Sequence, residues 1–154
     1  MSIDQRTFFE QQMLREENCV SMYTRFAGIV NDPGLRDMFH EFARQAQAHR
    51  DTIRTLLSGQ GIAEDGVLQN RATQESTPIG GPRPDAHQSG TPPSRGHDED
   101  MIADSLLSMK AMSDGYRSAL RLVSDESTAA ALIGMRQDED RQKEQLARYL
   151  HGRN

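Results

Sequence analysis

Apolar residues recur every three or four positions over most of the chain. Phe9, Met13, Val20, Tyr23, Ala27 and Val30 trace one face of a helix. Asn31-Asp32-Pro33-Gly34 breaks that run, with Asp32 suited to cap a second helix and Pro33 to its first position. Phe39, Phe42, Ala46, His49, Ile53 and Leu56 mark the inner face of this second helix, which Gly59 ends. A third opens at Asp98-Glu99-Asp100, where acids favour the helix N-terminus, and turns Ile102, Leu106, Met109, Met112, Tyr116, Ala119 and Val123 inward. Ser124 or Asp125 caps a fourth, with Leu132, Met135, Glu139, Leu146 and Leu150 inward and Gly152 at its end. The pattern predicts an all-α bundle of four helices, each of roughly 20 to 27 residues.

Between the second and third helices the periodicity stops. Five of the six prolines lie between Pro78 and Pro93, and seven glycines fall between Gly59 and Gly96. Such a stretch buries too little surface to offset its ordering entropy, so residues 59–97 are expected to form a flexible linker. The organisation follows: a first hairpin over 1–58, the linker, and a second hairpin over 98–154, packed as one domain.

The two hairpins align without a gap at a constant offset of 93 residues. Tyr23 meets Tyr116, Leu14 Leu107, Val30 Val123, Asp32 Asp125, Leu57 Leu150 and Gly59 Gly152, with conservative pairs between. The chain therefore reads as one helical hairpin used twice. A helix of about 26 residues is about 39 Å long, and the linker is long enough to run back along it. Two hairpins joined by a long crossover is one solution; a simple up-down-up-down bundle with a long third connection is the other.

Polar residues fall on the inward faces. Glu16 lies within the apolar sector of helix one, His49 within that of helix two, and Glu139 and Gln142 within that of helix four. Counted from the inter-helix turns, positions 16, 46, 49, 109, 139 and 142 converge on one layer. These positions resemble those of ferritin-like di-iron proteins, which carry a Glu on each of two helices and Glu-x-x-His on each of the others. Here they read Glu16, Ala46-x-x-His49, Met109 and Glu139-x-x-Gln142, so three of six ligands remain. That set is too poor in oxygen donors for a working di-iron oxidase or ferroxidase. Two readings of the survivors follow. Glu16, His49 and Glu139 suit a single iron, manganese or zinc ion. Alternatively they form a satisfied polar cluster with Tyr23, Tyr116 and Gln142, with Lys110, Arg136 and Lys143 near enough in sequence to neutralise a carboxylate. The polar cluster is the preferred reading, because buried polar groups ordinarily satisfy one another.

Composition narrows the rest. The net charge of −5 and the 5% of aromatic residues, with no Trp, argue against nucleic acid as a partner. No apolar run is long enough to span a bilayer, and the opening MSIDQRTFFEQQ carries no secretory pattern. Cys19, the single cysteine, reads as a small buried hydrophobe. His40, His87, His97 and His151 read as surface or linker residues. No phosphate-binding loop or nucleophile motif is present.

The second hairpin is similar to spore-coat proteins of the coat F family through Asp100, Asp104, Leu106, Leu107, Lys110, Tyr116, Leu146, Tyr149 and Gly152. The first, with NDPGLRDMF and AHRDTIRTLL, resembles the opening hairpin of the same ferritin-like relatives through Asp32-Pro33, Leu35-Arg36 and His49. The resemblance implies a ferritin-like bundle made in the cytoplasm and associated with the spore coat or forespore. It implies a non-catalytic structural or assembly protein without a cofactor, partnered by other coat proteins; a core whose five Phe all lie in the first hairpin further suggests a homodimer. The alternative function is a metal-binding ferritin-like protein or metalloenzyme holding one ion on Glu16, His49 and Glu139.

Overall fold

The structure is a computed structural model, and it describes residues 1–59 and 95–152. Among these residues the chain forms four helices and no strand: α1 (Ile3–Ile29), α2 (Pro33–Leu57), α3 (Arg95–Leu120) and α4 (Glu126–Gly152). None is long and apolar enough to cross a membrane. The linker expected over 59–97 lies almost wholly outside the described residues.

Local chemistry accounts for the helix ends. Ser2 and Gln5 form a reciprocal capping box at the start of α1. Asp32 accepts the Leu35 N–H at 3.0 Å with Pro33 in the first helical position, as the spacing predicts. Gly59, at φ +75°, takes the left-handed conformation that lets the chain leave α2. Of the two candidate caps for α4, Asp125 serves, accepting both N–H and Oγ1–H of Thr128 at 2.8 Å. α3 begins at Arg95 rather than at Asp98. Asp98 is buried and its carboxylate accepts the Asn31 N–H at 3.2 Å, so it anchors α3 to the α1–α2 turn instead of capping its own helix.

α1 packs against α2 and α3 against α4, and the two pairs meet along thinner seams, α1 with α3 and α2 with α4. Contacts fix the directions. Gln5 bonds the Leu122 carbonyl, Cys19 lies beside Ser108 and Asn31 beside Asp98, so α1 and α3 are antiparallel. Tyr149 reaches Asp32, Gln142 reaches Gln45 and Asp138 reaches His49, so α2 and α4 are antiparallel as well. α2 and α3 therefore run in the same direction on one diagonal. α2 ends at the opposite end of the bundle from the start of α3, which excludes the simple up-down-up-down order.

The core is uneven along its length. Near the α1–α2 turn, Tyr23, Phe26, Phe39 and Phe42 interlock with ring centroids 5.4–6.2 Å apart, mostly edge to face. α3 and α4 complete the core with Met101, Ile102, Met109, Met112, Leu132, Met135 and Leu146. Two turns from the aromatic cluster the buried stripes become polar, at Glu16 on α1 and His49 on α2.

Candidate metal centre

Glu16, His49 and Glu139 come from α1, α2 and α4, and all three are buried. One ligand atom from each lies within 4.8 Å of the other two. Glu16 shares a stripe with Phe9, Gln12, Cys19 and Tyr23, which three- and four-residue steps carry along the inner face of α1. His49 sits between Ala46 and Ile53 on α2, and Glu139 between Met135 and Gln142 on α4.

His49 holds the layer together. Its Nδ1 faces Glu16 Oε1 at 3.2 Å and Glu139 Oε1 at 3.5 Å, while Nε2 meets Asp138 Oδ2 at 2.9 Å. Tyr116 lies edge-on to the imidazole and donates its hydroxyl to Glu16 Oε1. Both donors thus converge on a single oxygen of Glu16, and its Oε2 is buried without a partner. Gly115 permits this closeness of α3 to α1: a Cβ there would stand 2.9 Å from Gln12 Oε1.

The electrostatics follow from burial and from the shortage of cations. Burial alone would drive the proton off His49. The charge of Glu16 and the bonds to Asp138, Glu139 and Glu16 outweigh it and hold the imidazole well above its ordinary value. Burial, reinforced by the charges of Glu16 and Asp138 against the pull of His49, pushes Glu139 up to about 7. Burial and Glu16 also hold the Tyr116 phenol up, so it remains a donor. Cys19 is pushed up to about 12 by burial and the Glu16 charge, and its thiol sits 3.4 Å from Ser108 Oγ as an unreactive core group. No known protein family, curated protein or solved structure matches the chain. The chemistry of the layer is therefore read from its own residues.

Of the residues expected here, Glu16, His49, Glu139 and Tyr116 meet. Tyr23 belongs to the aromatic cluster, against Phe39 and Phe42, and its hydroxyl turns toward Ser108. Gln142 is buried but donates across the α2–α4 seam to Gln45 rather than to the carboxylates. Lys110, Arg136 and Lys143 do not neutralise the layer. Lys110 is exposed and Arg136 turns to Asp140, one helical turn away at 3.7 Å. Among the described residues, no Lys or Arg pairs with Glu16 or Glu139. Ala46 and Met109 are buried in the same region without a donor to offer.

Sequence reasoning missed three residues. Asp138 precedes Glu139, so a helix step of 100° carries it to the edge of the buried sector, where it faces α2 with 22% of its side chain exposed. Gln45 likewise borders the seam. Gln12 lies one turn before Glu16 and is buried, donating weakly to Met112 Sδ at 3.9 Å. Its signal was present, since positions 9, 12, 16, 19 and 23 form one continuous stripe.

Proposed function

We propose that the chain is a ferritin-like bundle, one hairpin used twice and joined by a crossover, that holds a single divalent metal ion on Glu16, Glu139 and Nδ1 of His49. The observation that carries this reading is the orphaned Oε2 of Glu16. A fully buried carboxylate oxygen ordinarily finds a donor, and this one belongs to a residue with a ligand atom within 4.8 Å of those of His49 and Glu139. The surroundings of His49 support it. Asp138 on Nε2 is the outer carboxylate that orients a metal-binding imidazole and leaves Nδ1 toward the two glutamates. Two carboxylates and one imidazole without thiolate suit iron, manganese or zinc.

The ligand positions of the two hairpins are complementary. At the offset of 93, Glu16 pairs with Met109, Ala46 with Glu139 and His49 with Gln142. Each kind of ligand survives once, on one hairpin or the other, and the survivors converge. A two-ion oxidase forms no part of the proposal, because Ala46, Met109 and Gln142 supply no anionic oxygen.

A protonated His49 already bridges the carboxylates, and this observation favours the second reading: a non-catalytic structural or assembly bundle akin to coat F proteins. In that reading coat proteins or a second copy are the partners, and the spore coat or forespore is the location. The two readings meet if the protonated cluster is the metal-free form, its protons leaving as the ion binds. Elemental analysis of protein purified without chelator tests the metal. About one equivalent of iron, manganese or zinc is expected, lost in His49→Leu; folded protein with no stoichiometric metal, even after reloading, would leave the structural reading.

A further inference from the structure

An ion reaching this layer has to pass one of its walls. Along the buried stripes the site is closed by Tyr23, Phe42 and Leu146 toward the α1–α2 turn and by Phe9, Ile53 and Leu132 toward the other end, none more than 2% exposed. A hydrated cation has nothing to exchange its water for among such side chains. The α1–α3 seam is closed by Tyr116 and Gln12, pressed together by the approach at Gly115.

The α2–α4 seam differs from the α1–α3 seam in carrying a carboxylate that bonds a site residue directly and a surface cation at once. Asp138 connects surface to site: Oδ2 meets His49 Nε2 at 2.9 Å, while Oδ1 meets Arg141 Nη2 at 3.0 Å, on a side chain 65% exposed. One helical turn away along both helices, the Gln142 amide bonds the half-buried Gln45 amide across the gap. This bond is neutral, and each amide can turn to water when it opens.

Resting on the single-metal reading, we infer that the α2–α4 seam is the route by which the ion enters and leaves, with Asp138 receiving it and the Gln45–Gln142 pair as the clasp that must part. The clasp then sets rates rather than affinity, because it touches none of the three ligands. Opening it favours entry and exit alike.

Zinc uptake by metal-stripped full-length protein, and release from loaded protein into an excess of fluorescent zinc indicator, are followed by rapid mixing. Gln45→Ala and Gln142→Ala are each expected to speed both steps by about fivefold, the factor carried by a neutral hydrogen bond. The equilibrium constant should shift far less, and Ser108→Ala, on the opposite seam, should leave both rates unchanged. Gln45→Ala sits at a half-buried edge, so a folding defect in the other clasp variant leaves the experiment decisive. One zinc bound with rates unaltered in the clasp variants, or accelerated by Ser108→Ala, overturns the route while leaving the metal site standing. Failure of the parent protein to bind zinc removes both.

Discussion

The two helical pairs differ in what they contribute to the bundle. At positions 93 residues apart, α1–α2 carries Glu16, Ala46, His49, Tyr23 and Phe39, where α3–α4 carries Met109, Glu139, Gln142, Tyr116 and Leu132. All five Phe belong to the first pair, which packs as an aromatic cluster, while the second relies on Met and Leu. The two tyrosines show the consequence most directly. Tyr116 faces Glu16 and becomes a donor in the polar layer, whereas Tyr23 leans on Phe39 and Phe42. Two tyrosines 93 positions apart thus acquire their roles from what stands opposite them.

Paired substitutions at that spacing sharpen the contrast. His49→Leu strips Glu16, Glu139 and Asp138 of the cation they share. It should cost the metal-free protein about 3–5 kcal/mol in chemical denaturation, as breaking a buried ion pair does. Gln142→Leu, at the equivalent place, forfeits one bond to a half-exposed amide and should cost about 1 kcal/mol or less. Equal costs would show that His49 is not the hub of the layer.

Phe39→Ala should cost about 3–5 kcal/mol, since the ring is wholly buried among three other aromatics. Leu132→Ala should cost about 2–3 kcal/mol, because the neighbouring Met side chains can partly fill the void. Urea midpoints of the two variants make the comparison.

The third contrast is between Glu139 and the silent Ala46. Glu139 titrates at about 7 in the folded protein against an ordinary 4.5, so the native state holds its proton more tightly. The stabilisation is complete below pH 4.5 and is lost as pH rises through 7. His49, raised above 6.5, acts in the same direction at higher pH. Chelator-treated protein should therefore melt at lower temperature as pH rises from 5 to 8, with Glu139 contributing on the order of 2 kcal/mol. Glu139→Gln should flatten the part between pH 4.5 and 7. Zinc should reverse the trend, since binding displaces these protons.

The helix caps give a smaller effect than the core residues. Asp32→Ala loses the cap and the 2.6 Å bond from Tyr149, and should cost about 1–2 kcal/mol. Asp125→Ala loses a cap in solvent and should lower the melting temperature by less.

Much of this molecule was written in its periodicity. The 3.6-residue repeat selects which side chain faces inward, and counting from the Asp32 and Asp125 turns sets height. Together these were enough to bring Glu16, His49 and Glu139 to one layer on paper. The repeat is silent about which neighbouring helix a side chain meets. Asp138 on His49, Tyr116 on Glu16 and Gln142 on Gln45 all join residues some 90 to 100 positions apart. Only the seams between the two helical pairs decide such contacts. The same seams set the direction of α3 and hence the crossover, because a hairpin's inward face is the same whichever way it is laid against its neighbour. The orphaned oxygen of Glu16 belongs to tertiary structure for the same reason: whether a buried group is satisfied depends on every donor around it, and its donors, His49 and Tyr116, come from two other helices.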